Sequence, residues 1–421
     1  MNGAGSWDLP QSRHLAYARD ADFTADSHSQ GQYAKLSGRD GRLRECPCAA
    51  KARWPPPTDM RVTSFSTQLA CPSEAADPVR ESIAAQVANF VTIEIRTDCG
   101  LEGIGYTGFV VQDILKPLKV TLDALAEWVV GEDPLAVEAV SSKLLSQGGF
   151  GAPAGSVTSA AAAIDVALWD IKAKAAGVPL YRLLGGGSDR VPAYASGYLW
   201  RDYDTDRLAA TGESLVNQGF RAMKFRMGAE PDRREEILRM RALRKAVGKR
   251  IKLMVDINQG WDVNQTMRAG RAMEECDLYW LEDPIHHQDY AGMASIAEAL
   301  DTPIATGEYH YGIAPFRHML DQRCVDIVMV DLLRAGGITH WMKIAHLAEA
   351  FNKPVVSHLA PEVLAHCVAA VPNGLIVEHM PWALPLFQET FSMDGGQIVL
   401  PDRPGLGLEF DHGAIERFQP R

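Results

Sequence analysis

The chain has no apolar stretch that reaches the roughly 18 residues a helix needs to cross a bilayer, and its N-terminal residues lack the apolar core of a signal peptide. A helical membrane protein is therefore excluded, and a cytoplasmic chain with no membrane partner is expected. There is also no lysine- or arginine-rich run, and the net charge is −11. Binding to nucleic-acid phosphates calls for a basic face, so no nucleic-acid partner is expected. Cysteine spacing gives no framework either. Seven cysteines are scattered, and only Cys46 and Cys48 stand close. A lone C-x-C is a weak metal signal, and an odd count in a large chain points to reduced thiols.

What remains is substantial. With 421 residues, 47% of them hydrophobic, the chain can build a large core and two domains. Residues 1–59 are polar, end in a proline run and show no sustained periodicity, so they read as an N-terminal extension without chemistry. From Met60 the style changes. RVTSFSTQLA and ANFVTIEIRTDCGLEGIGYTG alternate like antiparallel strands, with Asp98-Cys99-Gly100 as turn residues. ILKPLKVTLDALAEWVVGEDP and PLAVEAVSSKLLSQ read as amphipathic helices. SVTSAAAAIDVALWDIKAKAAG reads as a third helix, with small residues that permit close packing and Gly177 at its end. Residues 60–187 are thus expected to form an α+β domain.

The next block is organised differently. Short apolar runs recur about every 20–30 residues, each ending in a charged side chain. AMKFRM carries Lys224 and Arg226, IKLMVD ends in Asp256, and LYWLED carries Glu282. PIATGE ends in Glu308, IVMVD in Asp331, PVVSH in His358 and GLIVE in Glu378. Segments of helical period lie between them, such as HWMKIAHLAEAF. A strand–helix repeat of this length predicts parallel strands in an α/β barrel over 188–380, with all strand C-termini at one mouth. The tail, 381–421, returns to short strands and Pro/Gly turns and is expected to fold back on the first domain. A carboxylate after a strand can simply cap the next helix. Capping alone does not account for three carboxylates on consecutive strands followed by an Asp and then a His.

Asp256, Glu282 and Glu308 are hard oxygen donors without a cysteine or clustered histidines, a set that suits Mg²⁺. Lys224 and Arg226 supply cations for an anionic substrate. His358 and Asp331 end adjacent strands, where a carboxylate can fix the tautomer of the imidazole and raise its basicity. Glu378, if protonated in a crowded acidic pocket, could donate a hydrogen bond to a developing oxyanion.

On SAAAAIDVALWDIKAKAAGVPLYRLLGG, KFR, VDINQGW, LEDP, IATGE, MVDLLRAGGIT, VVSHLAPE and VEHM, the stretch from Met60 to about Asp411 resembles the enolase superfamily. Within it, the chain is most similar to the acid-sugar dehydratases of the mandelate racemase subgroup, of the talarate/galactarate type. The resemblance implies an α+β capping domain on a modified (β/α)7β TIM-like barrel. It implies Mg²⁺ at Asp256, Glu282 and Glu308, a His358–Asp331 dyad on one face of the substrate, a hydrogen-bonding Glu378, and Asn258 near metal and substrate. The catalytic set is then His358, Asp331, Lys224, Arg226 and Glu378; the substrate-binding set is Lys224, Arg226, Asn258, His310 and Glu378. A homo-oligomer is expected as well.

One position departs from the family pattern, which often carries Lys-x-Lys on the second barrel strand. Here the motif is Lys224-Phe225-Arg226, and arginine is a poor general base. The common step in such sites is removal of a proton α to a carboxylate, with cations stabilising the enediolate. Racemisation needs a proton-transfer group on both faces, whereas loss of a β-hydroxyl can proceed with one. The expectation is therefore Mg²⁺-dependent dehydration of a sugar acid, aldarate or aldonate, to a 2-keto-3-deoxy acid, with a C6 diacid preferred. The alternatives are a hydroxy-acid racemase or epimerase and a non-catalytic binding protein.

Overall fold

The computed structural model describes residues 59–72, 87–149, 153–230 and 232–420. The expected polar extension, 1–59, lies outside the described residues except for Asp59. Three antiparallel strands open the fold in the order β1 (Val62–Ala70), β2 (Phe90–Thr97) and β3 (Glu102–Gly108). Gly100, with φ +82°, makes the turn from β2 to β3 in a left-handed conformation that costs glycine little. Three helices follow, Gln112–Glu127, Val137–Gln147 and Gly155–Ala176. The last is rich in alanine and buried along most of its middle, and it packs directly on β3. Its contact with β3 requires glycine: a Cβ on Gly103 or Gly105 would stand 2.1 Å from the carbonyl oxygens of Ala167 and Ala163. Gly177, at φ +69°, ends the helix.

Eight parallel strands then form the barrel. In chain order they are β4 (Arg190–Leu199), β5 (Ala222–Arg226), β6 (Lys252–Asp256), β7 (Leu278–Glu282), β8 (Ile304–Thr306), β9 (Ile327–Asp331), β10 (Val355–His358) and β11 (Val377–His379). Each pairs with its successor from β4 to β10, and β11 pairs with β4. A parallel bridge between Val355 and Gly374 joins β10 to the approach of β11 and closes the ring. The strands are short because each crosses the wall only once, and they are buried on both faces, as their Val/Ile/Leu/Met content requires. Aspartates start the intervening helices: Asp204, Asp232, Asp262 and Asp289 each accept a backbone N–H of the first turn.

Tyr194, Met254, Trp280, Ala305, Met329 and Val356 belong to one buried apolar cluster contributed by the barrel strands. The capping domain has a separate core from its sheet and three helices. Asp165 and Trp169 of the Gly155–Ala176 helix join cap to barrel. Asp165 accepts the Thr339 N–H at 3.0 Å, and the Trp169 indole N–H donates to Thr339 Oγ1 at 2.9 Å.

The C-terminal segment, read from sequence as returning to the capping domain, divides its attachments. A hairpin of β12 (Ser392–Asp394) and β13 (Gln397–Val399) adds antiparallel to β4. Beyond it, Leu180 N–H donates to Gly405 O at 2.7 Å, and Cys71 N–H donates to Phe418 O at 2.7 Å. Among the described residues no helix is long and apolar enough to cross a membrane.

Candidate active site

Strand register sets the first row of charges. Arg226 on β5 is level with Asp256 on β6, which is level with Glu282 on β7. Lys224 lies two residues before Arg226, so the two side chains leave the same face of β5. Its Nζ is 2.5 Å from Glu282 Oε1, 2.8 Å from Glu378 Oε1 and 3.5 Å from Asp256 Oδ2. Arg226 donates to Asp256 Oδ2 at 2.8 Å and to Asn258 Oδ1 at 3.0 Å. Lys224 is fully enclosed by this acid shell. Burial disfavours its charge, but Glu282 and Glu378 outweigh burial and hold its pKa well above the usual value.

On the other side of the mouth, Asp331 and His358 are level on β9 and β10. His358 Nδ1 is 2.7 Å from Asp331 Oδ2. The other ring nitrogen, Nε2, is 3.0 Å from Glu308 Oε2. The second oxygen of Asp331, Oδ1, accepts the Arg334 N–H at 2.7 Å and caps the short helix Leu332–Ala335. The capping role and the pairing with His358 thus fall on one residue. Burial lowers the pKa of His358, yet Glu308 and the Asp331 hydrogen bond raise it further, so the net shift is upward.

The structure brings a fourth carboxylate, Asp283, to the expected set of Asp256, Glu282 and Glu308. One oxygen each of Glu282, Asp283 and Glu308 lies within 4.8 Å of the others. Asp283 was absent from the sequence reading because strand alternation turns the residue after Glu282 away from the mouth. Its backbone, at φ +39°, is left-handed, and this changes the course of the chain at the strand end. Glu308 arrives beyond β8 through Gly307, at φ +136°, where a Cβ would stand 2.4 Å from Met329 O. Asp256 belongs to the same mouth, but its Oδ2 is directed to Arg226 and Lys224. Asp283 Oδ2 and Glu308 Oε2 are buried and accept no hydrogen bond among the described residues; the His358 contact lacks hydrogen-bond geometry. Buried carboxylate oxygens without a donor, in an all-oxygen set, fit a hard divalent cation.

Two further residues sit in settings the sequence does not announce. Glu378 is placed as an acceptor. It accepts from Ser196 Oγ at 2.7 Å, from Leu359 N–H at 2.6 Å and from Lys224. Burial pushes its carboxyl up, but Lys224, His358 and Arg226 outweigh burial and hold it well below the usual range. His310, expected to touch substrate, is packed among rings. It stacks on Tyr290 with centroids 5.6 Å apart and meets Phe316 and His287 edge-on. Burial takes its pKa down to about 4, so it is a neutral ring in an aromatic layer.

The sequence reading also missed Arg201, Tyr309 and Trp280. The Trp280 indole donates to Glu282 Oε2 at 2.9 Å and so links the apolar barrel core to the site. Asn258, at φ +47°, donates its own N–H to Asp256 Oδ1 at 2.8 Å. Its Oδ1 accepts from Arg201 as well as Arg226. No motif announced these residues. The only signal was position: Arg201 lies two residues beyond β4, Tyr309 next to Glu308, and Trp280 two residues before Glu282 on the same face of β7.

Two protein families match the chain: enolase C-terminal domain-like over residues 207–414, and the mandelate racemase / muconate lactonizing enzyme N-terminal domain over 64–185. The L-talarate/galactarate dehydratase of Salmonella typhimurium is 35% identical over 335 residues, covering 80% of this chain and 83% of that protein. The 3,6-anhydro-alpha-L-galactonate cycloisomerase of Streptomyces coelicolor is 31% identical over 328 residues, covering 78% and 90%. A crystal structure of L-talarate dehydratase from Polaromonas sp. JS666, complexed with Mg and L-glucarate, superposes with a TM-score of 0.79 at 33% identity, over 86% of this chain and 98% of that one. Sugar-acid dehydratases dominate the curated relatives, with isomerases and an epimerase among them.

Proposed function

The chain belongs to the mandelate racemase / muconate lactonizing group of the enolase superfamily, and from that premise we propose that it is a Mg²⁺-dependent dehydratase of sugar acids. The observation that carries this reading is the asymmetry of the mouth. One side holds a histidine paired with a carboxylate. The other holds Lys224 and Arg226, each bound to buried acids. A site with one base removes an α-proton from one face only. Loss of water needs no more than that, whereas racemisation needs a second proton-transfer group opposite.

Glu282, Asp283 and Glu308, with Asp256 beside them, would hold the cation. When bound, Mg²⁺ would offset the negative charge that grows on the substrate carboxylate as the α-proton leaves. Lys224 and Arg226 add fixed positive charge on the same side. His358 Nε2 faces the acid cluster and takes the α-proton, while Asp331 keeps Nδ1 protonated and the ring aligned. The electron pair of the broken C–H bond moves into the carboxylate, then returns to form the Cα=Cβ bond as the Cβ–O bond breaks. The imidazolium gives its proton to the departing hydroxyl, so water leaves and His358 is neutral again. The enol product tautomerises to the 2-keto-3-deoxy acid.

A cytoplasmic setting accompanies this reading, supported by the free thiols of Cys99, Cys276, Cys324 and Cys367. Homo-oligomerisation is also part of the proposal. The test is a panel of aldonic and aldaric acids incubated with enzyme and Mg²⁺ in deuterium oxide, scored for 2-keto acid. Dehydration of at least one acid is expected. Solvent deuterium in recovered substrate without loss of water would replace this reading with that of an epimerase, the activity named for one relative.

A further inference from the structure

The cations of the mouth are matched to acids with one exception. Lys224 has Glu282 and Glu378, Arg226 has Asp256, and His358 has Asp331 and Glu308. Arg334 faces the charges of Asp331 and Glu308. Arg201 follows β4 on the turn after Trp200, and it has no carboxylate partner among the described residues. Its guanidinium reaches past β5 to the end of β6 and donates to Asn258 Oδ1, a neutral oxygen that Arg226 already uses. Two guanidinium groups therefore converge on one uncharged acceptor. Arg226 is held over the Trp200 ring at 5.2 Å, and its buried Nε has no partner among the described residues.

Like charges placed this close, in a partly buried setting, disfavour each other unless an anion joins them. Burial, and then Arg226, lower the pKa of Arg201, which records the same conflict. Arg201 is half-buried, so a ligand can reach it. The reacting carboxylate of a substrate belongs deeper, with Lys224 and the Glu282–Asp283–Glu308 cluster. Arg201 stands outward of that cluster, across Asn258. A planar guanidinium is built to take a carboxylate with two parallel hydrogen bonds.

We propose that Arg201 binds the second, distal carboxylate of the substrate, which makes six-carbon diacids rather than mono-acids the substrate class. This rests on the dehydratase reading above. An aldonate carries a hydroxymethyl group at that end and leaves the guanidinium without a counter-charge. A diacid supplies the missing anion at Arg201.

The test compares the wild type with Arg201→Gln and Arg201→Lys on matched pairs of C6 aldarates and aldonates, galactarate and galactonate among them, with Mg²⁺ saturating. The wild type should prefer the diacid of each pair that it turns over. In Arg201→Gln the ratio of kcat/KM for diacid over mono-acid should fall by roughly 30–100-fold, the loss expected for truncating one partner of a partly buried charge pair. Arg201→Lys keeps the charge and loses the fork, so its ratio should fall between the two. Binding of galactarate and galactonate, measured by calorimetry, supplies a readout that needs no turnover, and thermal melts check that each variant is folded. A wild type that prefers mono-acids, or equal losses on both members of a pair, overturns the assignment while leaving a dehydratase. If no acid loses water, the dehydratase reading fails by itself. Calorimetry then still decides whether galactarate binding depends on Arg201, and equal binding by wild type and Arg201→Gln overturns the proposal.

Discussion

The two sides of the barrel mouth are made from the same kinds of residues and do different work. On the β5–β7 side, Lys224, Arg226, Asp256 and Glu282 are locked in contacts of 2.5–2.8 Å, with one at 3.5 Å. The surrounding acids hold Lys224 and Arg226 in their charged forms, so these two bind and polarise but do not carry a proton through a cycle. On the β9–β10 side, a single imidazole sits between Asp331 and Glu308. Histidine is the one group there whose ordinary pKa lies near neutrality. Charge density alone does not identify a catalytic acid or base; the group that can change its charge does.

The most direct way to break this comparison is His358→Asn. Removal of a general base typically costs ~10²–10⁴-fold in rate, and His358 also returns the proton to the leaving hydroxyl. Dehydration should be abolished while Mg²⁺ and substrate binding remain measurable by calorimetry. If most of the rate survived, Lys224 would have to be the base and the division between the two sides would be wrong. Asp331→Asn should cost less. The amide loses the charge that supports the imidazolium but keeps the helix cap, since asparagine caps about as well as aspartate. Asp331→Ala removes both and should lower stability by about 1 kcal/mol more than Asp331→Asn in urea denaturation. Equal stability of the two variants would show that the cap on Arg334 contributes nothing.

Much of the fold could be read from the chain because barrel strands buried on both faces leave short apolar runs at regular spacing. The charged residue that ends each run also named most of the mouth. The reading failed where the backbone leaves its strand. Asn258, Asp283, Leu359 and Ala360 all adopt left-handed φ without being glycine, at the ends of β6, β7 and β10. Such strain has no sequence signature, and it decides where Asp283 and Asn258 project. His310 is a different case: Tyr290 and Phe316, from neighbouring helices, pack around its ring, and that packing is not legible from its place in the sequence. For Glu378 the acidic pocket suggested a donor role if the carboxyl were protonated; Lys224 at 2.8 Å favours the ionised form instead.

Arg226→Lys sharpens the comparison instead of breaking it. A lysine at this position restores a group that can lose its proton, opposite His358. The variant should gain slow deuterium exchange or epimerisation at the α-carbon, followed by NMR in deuterium oxide, with a smaller change in dehydration than His358→Asn. If a variant that still binds substrate shows no new exchange, Arg226 does not occupy the face opposite the dyad.

The smallest effect concerns two glutamates that are equally buried and oppositely shifted. Glu378 has Lys224 beside it and stays ionised. Glu362, in the first turn of the helix Pro361–Ala370 that follows His358, has only the hydroxyl of Tyr106 from the capping sheet. Its other oxygen accepts nothing among the described residues. Burial raises its pKa from 4.5 to about 7. Between those values the folded protein holds a proton that the unfolded chain has released, so stability falls as pH rises through this window and levels off above it. Glu362→Gln keeps the shape and an oxygen for Tyr106 but cannot titrate. Urea midpoints measured from about pH 5 to about pH 8 should decline more steeply for the wild type than for Glu362→Gln. Asp165, also raised to about 7 by burial, contributes to both proteins and cancels in the difference. Parallel curves would mean that Glu362 is ionised throughout, and that a buried carboxylate in this fold needs no cation to keep its charge.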